Sequence, residues 1–66
     1  MKIKIKLHDS GNDSEFFEIS LDGVSVFFDK YDFSHTGRLK VFAKDKTMVA
    51  IFDEPVAKRF FDWVDG

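Results

Sequence analysis

Polar and apolar residues alternate along most of this chain with the period of a β-strand. Residues 2–7 read Lys-Ile-Lys-Ile-Lys-Leu, which places three lysines on one face of a strand and three aliphatic side chains on the other. Residues 8–14 are mostly polar turn formers and predict a loop. The alternation resumes at residues 15–21 and predicts a second strand.

A tight hairpin is predicted at Asp22-Gly23, because Asp-Gly between alternating segments favours a two-residue turn. With a two-residue turn, every cross-strand pair on one face of the hairpin is apolar. These pairs are Leu21 with Val24, Ile19 with Val26, and Phe17 with Phe28. On the reverse face Phe16 and Phe27 become diagonal neighbours, close enough for their rings to touch. They need cover from a helix, a curled sheet or a partner.

A second hairpin is predicted from residues 38–44 and 47–52, joined by a three-residue loop at 45–47. This loop matches apolar residues across one face of the hairpin, whereas a two-residue loop sets lysines beside valine and isoleucine. The expected inner face contains Leu39, Val41, Ala43, Val49 and Ile51. The reverse face then carries Phe42, Met48, Ala50 and Phe52.

The C-terminal segment predicts a helix. Asp53 can cap its first turn, and Pro55 is tolerated there. Apolar residues follow at helical spacing: Val56, Phe60, Trp63 and Val64, with Phe61 alongside. The predicted fold is α+β: a single domain, residues 1–66, with one five-stranded and mostly antiparallel meander, flat or curled, and one C-terminal helix.

Composition restricts how so short a chain can be stabilised. The 66 residues include no cysteine, which excludes disulfides and thiolate metal sites. Nine phenylalanines and Trp63 are therefore the expected core. The N-terminal residues lack the apolar stretch of a signal peptide, and no apolar run approaches the ~18 residues of a membrane span, so a cytoplasmic protein is expected.

The segment YDFSHTGRLKVFA, residues 31–43, resembles the calcium loop of the EF-hand family in part. Asp32, Ser34 and Thr36 fall at ligand positions, and Gly37 falls where that loop turns. However, Ala43 replaces the bidentate glutamate, and the loop offers a single carboxylate where calcium needs six to eight oxygens. We therefore expect a turn on Gly37 that leads into a strand.

No enzyme is expected. His8-Asp9-Ser10 and Ser34-His35 contain the residue types of a catalytic triad, but neighbours in an extended chain point apart and no nucleophile elbow is present. A site with both histidines and Asp9 or Asp32 has no diagnostic metal spacing. We expect no cofactor and no metal.

Charge is distributed unevenly along the chain. Residues 8–36 hold seven acids against Lys30 alone, a local net charge of −6 within a total of −2. Clustered like charge favours a basic partner surface and can imitate nucleic-acid phosphates. Ordinary solvation of loops explains the same acids equally well. The candidate partner-binding residues are Asp9, Asp13, Glu15, Phe16, Glu18, Asp22, Phe27, Asp29 and Asp32.

Two other functions stay open. Alternation would place Lys40, Phe42 and Lys44 on one face, where an aromatic between cations can stack a nucleic-acid base. Non-specific nucleic-acid binders usually carry a basic domain, so this alternative ranks second. The third is a structural homo-oligomer, such as a homodimer, whose reverse-face aromatics pack on themselves.

The whole-chain profile of a short, acidic, cysteine-free single domain resembles small phage-encoded inhibitors of the anti-CRISPR type. The resemblance implies a non-catalytic protein that blocks a larger nucleic-acid-handling complex by occupying a basic protein surface. It rests on no motif and assigns a role to no residue.

Overall fold

The computed structural model describes residues 1–9, 11 and 15–66. Its elements are β1 (Ile3–Asp9), β2 (Glu15–Leu21), β3 (Val24–Phe28), β4 (Lys30–Phe33), β5 (Leu39–Phe42), β6 (Met48–Phe52) and α1 (Val56–Asp65). The α+β class, the antiparallel pairing and the C-terminal helix are confirmed. The single five-stranded sheet is wrong: the described residues form six strands in two three-stranded sheets, β1-β2-β3 and β4-β5-β6.

The first hairpin, β2–β3, is confirmed in turn and register. Asp22 and Gly23 both adopt positive φ angles, 50° and 91°, as a two-residue type I′ turn requires. The three predicted apolar pairs are those observed. The first strand extends further than expected, to Asp9, and so includes two residues assigned to the loop from the sequence.

The chain changes sheets immediately after β3. The backbone N–H of Asp29 donates to the carbonyl oxygen of Phe42 at 2.9 Å, so the polypeptide bends there and enters the second sheet. The unpredicted strand β4 follows, with Tyr31 and Phe33 half-buried and Lys30 and Asp32 exposed. This bend divides the expected single meander into two.

The turn between β4 and β5 is confirmed. Gly37 has a φ of 87°, a conformation that favours glycine, and its N–H donates to the carbonyl of Ser34 at 3.1 Å. The Ser34 N–H also donates to the carbonyl of Arg38 at 2.9 Å. The segment that resembles a calcium loop is therefore a β-hairpin.

The predicted register of the second hairpin is wrong by one residue. Its loop has three residues but spans 44–46, closed by the Ala43 N–H donating to the Thr47 carbonyl at 2.8 Å. Lys46 takes a positive φ of 73°, and a β-bulge interrupts the β5–β6 pairing beyond the loop. As a result Phe52, opposite Leu39, faces the core.

The faces of β6 are consequently exchanged relative to the prediction. Ala50 lies opposite Val41 and packs against the core, whereas Val49 and Ile51 are 44% and 47% exposed. The inner-face assignment of Val49 and Ile51 is therefore a second error, and it follows from the bulge.

The helix begins without a side-chain cap. Its N-cap residue is Pro55, and the predicted capping role of Asp53 is wrong. The Asp53 carboxylate instead forms a salt bridge with the Arg38 guanidinium, with Nε and Oδ1 2.9 Å apart. Both side chains are largely exposed, so this ion pair contributes little stability.

One hydrophobic core joins both sheets and the helix. Phe60 is fully buried, and its ring lies 5.6 Å from that of Phe28 and 5.0 Å from that of Tyr31 between centroids. The other fully or nearly buried residues are Ile19, Leu39, Val41, Phe52, Val56 and Ala57. Because α1 occupies the inner side of the sheets, the outer face of the first sheet is left without helical cover. Across the described ranges, no helix combines the length and apolarity that crossing a bilayer requires.

Candidate partner-binding surface

Three aromatic side chains lie together on the outer face of the first sheet. Phe16 on β2 and Phe27 on β3 are diagonal neighbours, with ring centroids 6.1 Å apart. His8 on β1 stacks on Phe16 at 4.7 Å with an interplanar angle of 14°. Phe27 remains 53% exposed. We call His8, Phe16 and Phe27 the outer aromatic face.

Glu18 lies at the centre of this face and is held by two hydrogen bonds. Its Oε2 accepts from the Ser25 hydroxyl at 2.6 Å, and its Oε1 lies 2.8 Å from Nε2 of His8. The bonds to Ser25 and then His8 lower the pKa of Glu18 below its ordinary value. The carboxylate is therefore ionised at neutral pH and fixed in orientation beside the aromatic rings.

The Glu18 network differs from a catalytic triad in the order of its residues. In a hydrolytic triad the histidine contacts the nucleophile, but here Glu18 lies between Ser25 and His8 and accepts the hydrogen bond that the serine hydroxyl donates. A carboxylate whose pKa is lowered is also a weak general base. An oriented carboxylate next to exposed rings can instead receive a cationic side chain.

The structure brings only some of the predicted site residues together. Phe16, Glu18 and Phe27 share the outer face, whereas Asp9 and Glu15 lie opposite each other at one end of the β1–β2 ladder. Seven residues of β2 span roughly 20 Å, and that length separates Glu15 from the turn that holds Asp22.

The remaining predicted acids lie elsewhere. The Asp22 side chain accepts a hydrogen bond from the Lys2 N–H at 2.8 Å. Asp29 is half-buried in the bend after β3, and Asp32 lies on the second sheet opposite Lys40. Asp13 lies outside the described residues. The acids are therefore spread along the described chain, and the aromatic face carries one of them.

Two members of the Glu18 network, His8 and Ser25, were absent from the predicted site. The prediction ended the first strand at Leu7 and so placed His8 in a loop. Continuing the Lys4, Lys6 alternation by one step puts His8 on the lysine face, which is where the structure has it. The alternation of residues 4, 6 and 8 could therefore have placed His8 in the predicted site.

Comparisons with protein-family models, with curated proteins and with solved structures found no match to this chain. Over the ranges that the structure describes, no group of three or more histidine, aspartate or glutamate side chains is arranged to hold a metal ion.

The Glu18 network predicts an acid-sensitive contribution to stability. A carboxyl whose folded-state pKa is lowered stabilises the fold above its unfolded pKa, near 4.5, and loses that contribution as pH falls through the folded value. We expect Glu18→Gln to lower the free energy of unfolding at neutral pH, and the difference from wild type to shrink below pH 4.5. Urea unfolding at several pH values measures this. A difference that stays constant into acid would show that the ionised form carries no stabilisation.

Proposed function

We propose that this protein is a non-catalytic binding protein that inhibits a larger nucleic-acid-handling complex by docking onto a basic part of its surface. The observation that carries the proposal is the outer aromatic face with Glu18 at its centre. Phe27 stays 53% exposed there although the chain has a helix that could have covered it.

The chemistry of the face favours an arginine on the partner. A guanidinium can stack on an aromatic ring and pair with a carboxylate at the same time, and exposed rings next to Glu18 present both groups. Lys6 lies across the ladder from Glu18, so the face is not uniformly acidic. Residues 8–36 carry a net charge of −6, but their long-range electrostatic field is weak support for docking. Local complementarity to one or two arginines supports it better.

The contact should depend on the aromatic rings. Aromatic anchors near the centre of an interface typically cost 2 kcal/mol or more on truncation, which is at least about 30-fold in affinity. We expect Phe27→Ala to lose the captured partner in a quantitative pulldown from host extract, because its exposed ring provides the contact area. Glu18→Gln should weaken capture of the same partner by removing the charge.

A matched control is Val24→Ala on the same strand. Val24 is 69% exposed, but it pairs with Leu21 on the opposite side of the sheet. This variant should retain the partner. If Phe27→Ala and Val24→Ala capture the same proteins in the same amounts as wild type, the outer aromatic face is not the docking surface.

A further inference from the structure

The outer face of the second sheet carries a separate groove with its own chemistry. Lys30 on β4 lies directly across from Phe42 on β5, and the β5–β6 loop brings Lys46 to the same place. They line a depression of about 280 Å³, which Tyr31, whose ring packs against Phe60 on the inner side, also borders. We call these four residues the Lys–Phe groove.

The cations of this groove are available to a ligand. Among the residues described, neither Lys30 nor Lys46 forms a salt bridge with a carboxylate. The neighbouring Asp45 accepts a hydrogen bond from the Thr47 N–H at 3.0 Å. The side-chain hydrogen bond of Thr47, and then this backbone bond, lower the pKa of Asp45. Its charge is thereby directed at the loop backbone rather than at a lysine.

The lining defines the class of ligand. A half-buried phenyl ring offers a stacking surface, and two lysines at its side attract negative charge. A nucleotide unit combines a flat apolar ring with a phosphate, whereas an acidic peptide lacks the ring. The volume is at the lower end of ligand pockets, which suits one nucleotide rather than a larger ligand.

We propose that the Lys–Phe groove binds single-stranded nucleic acid, with one base stacked on Phe42 and adjacent phosphates contacted by Lys30 and Lys46. The next residue of β5 on the same face is Lys40, which lies beside Asp32 and Ile51. Lys40 extends the row of cations, but Asp32 offsets its charge. Lys44, which the sequence pattern grouped with Phe42, is in the loop next to Lys46.

This groove lies on a different sheet from the outer aromatic face, so the two sites can be tested separately. Fluorescence anisotropy with labelled oligothymidylate and oligouridylate should show binding that weakens with salt. Each phosphate contact on a single strand contributes about −0.7 to the slope of log affinity against log salt. We therefore expect a slope near −1.4 for two lysines and near −0.7 for Lys46→Ala.

Removing the ring tests the stacking contact. Phe42→Leu keeps an apolar side chain on the strand, and loss of one stacked base should weaken binding by about 5- to 150-fold. The control is Phe27→Leu on the first sheet, which should leave oligonucleotide affinity unchanged. Circular dichroism of each variant verifies that it is folded.

Three results would overturn the proposal. The first is no binding to either oligonucleotide at low salt. The second is binding that Phe42→Leu and Lys46→Ala leave unchanged. The third is equal affinity for polyglutamate, which would assign the groove to general polyanion attraction. None of these results bears on capture of a protein through Phe27, so the proposed function stands or falls independently.

Discussion

Replacing Phe60 with alanine should unfold most of the protein. Phe60 is fully buried and packs against Phe17, Phe28, Tyr31 and Trp63 from the helix side. Truncation of a buried phenylalanine costs about 3–5 kcal/mol, because transfer energy is lost and a cavity is left. In a chain of 66 residues a single hydrophobic core rarely supplies more than about 3–5 kcal/mol of stability. The loss is therefore comparable to the whole margin.

The neighbouring residue supplies the control. Phe61 is on the same helix but is 49% exposed, with its ring 5.3 Å from that of Phe33. Phe61→Ala makes the same chemical change with the same gain in helix propensity, so the two variants differ mainly in burial. Urea unfolding followed by circular dichroism should show a much smaller loss for Phe61→Ala. Equal losses would contradict the helix orientation described above.

The second large effect is expected at Phe52, and it tests the corrected register of β6. Phe52 is 8% exposed opposite Leu39, so Phe52→Ala should cost about 3–5 kcal/mol. Ile51 is 47% exposed beside Lys40, and surface substitutions usually change stability by less than about 0.5 kcal/mol. Ile51→Ala should therefore be nearly neutral in the same unfolding measurement.

The register predicted from the sequence gives the reverse order. With a loop at 45–47, Ile51 faces the core and Phe52 lies outside. A greater loss of stability in Ile51→Ala than in Phe52→Ala would restore that register and contradict the bulge. The two variants therefore distinguish two registers of β6 against β5 that differ by one residue.

The two hairpins show what sequence reasoning can and cannot reach. At Asp22-Gly23 the turn residues and the period-two pattern specify one register, so turn, pairs and faces were all predictable. In the second hairpin Lys46 takes the left-handed conformation. Lysine has no preference for that conformation, so the sequence does not predict it. A bulge then follows, and local pattern matching cannot detect it.

The missed strand β4 has a different cause. Lys30–Phe33 has only four residues, and its alternation of Lys30, Tyr31, Asp32 and Phe33 is visible in the sequence. Because the segment resembles a calcium loop that turns on Gly37, it was predicted to be a turn leading into a strand, and the alternation before the turn was not assigned. The bend at Asp29 depends on a backbone hydrogen bond to Phe42, a tertiary contact that is not encoded locally.

The part of the candidate site that depends on the β2–β3 register was predictable. Phe16 and Phe27 were expected to be neighbours because the Asp22-Gly23 turn fixes their offset, and their rings do meet. Which face the helix would cover depended on packing of the whole molecule, so the exposure of Phe27 could not be deduced. The scatter of the acids has the same origin, since a count of charges along the sequence ignores the alternation of faces.

The division into two meanders bears on how quickly the chain finds its structure. Each of the four described strand pairings joins elements adjacent in the sequence, from β1 with β2 through to β5 with β6. Closing such short segments costs little chain entropy, and proteins rich in local pairings reach their native state rapidly. We therefore expect rapid folding, with the two sheets sharing one core around the buried Phe60 ring.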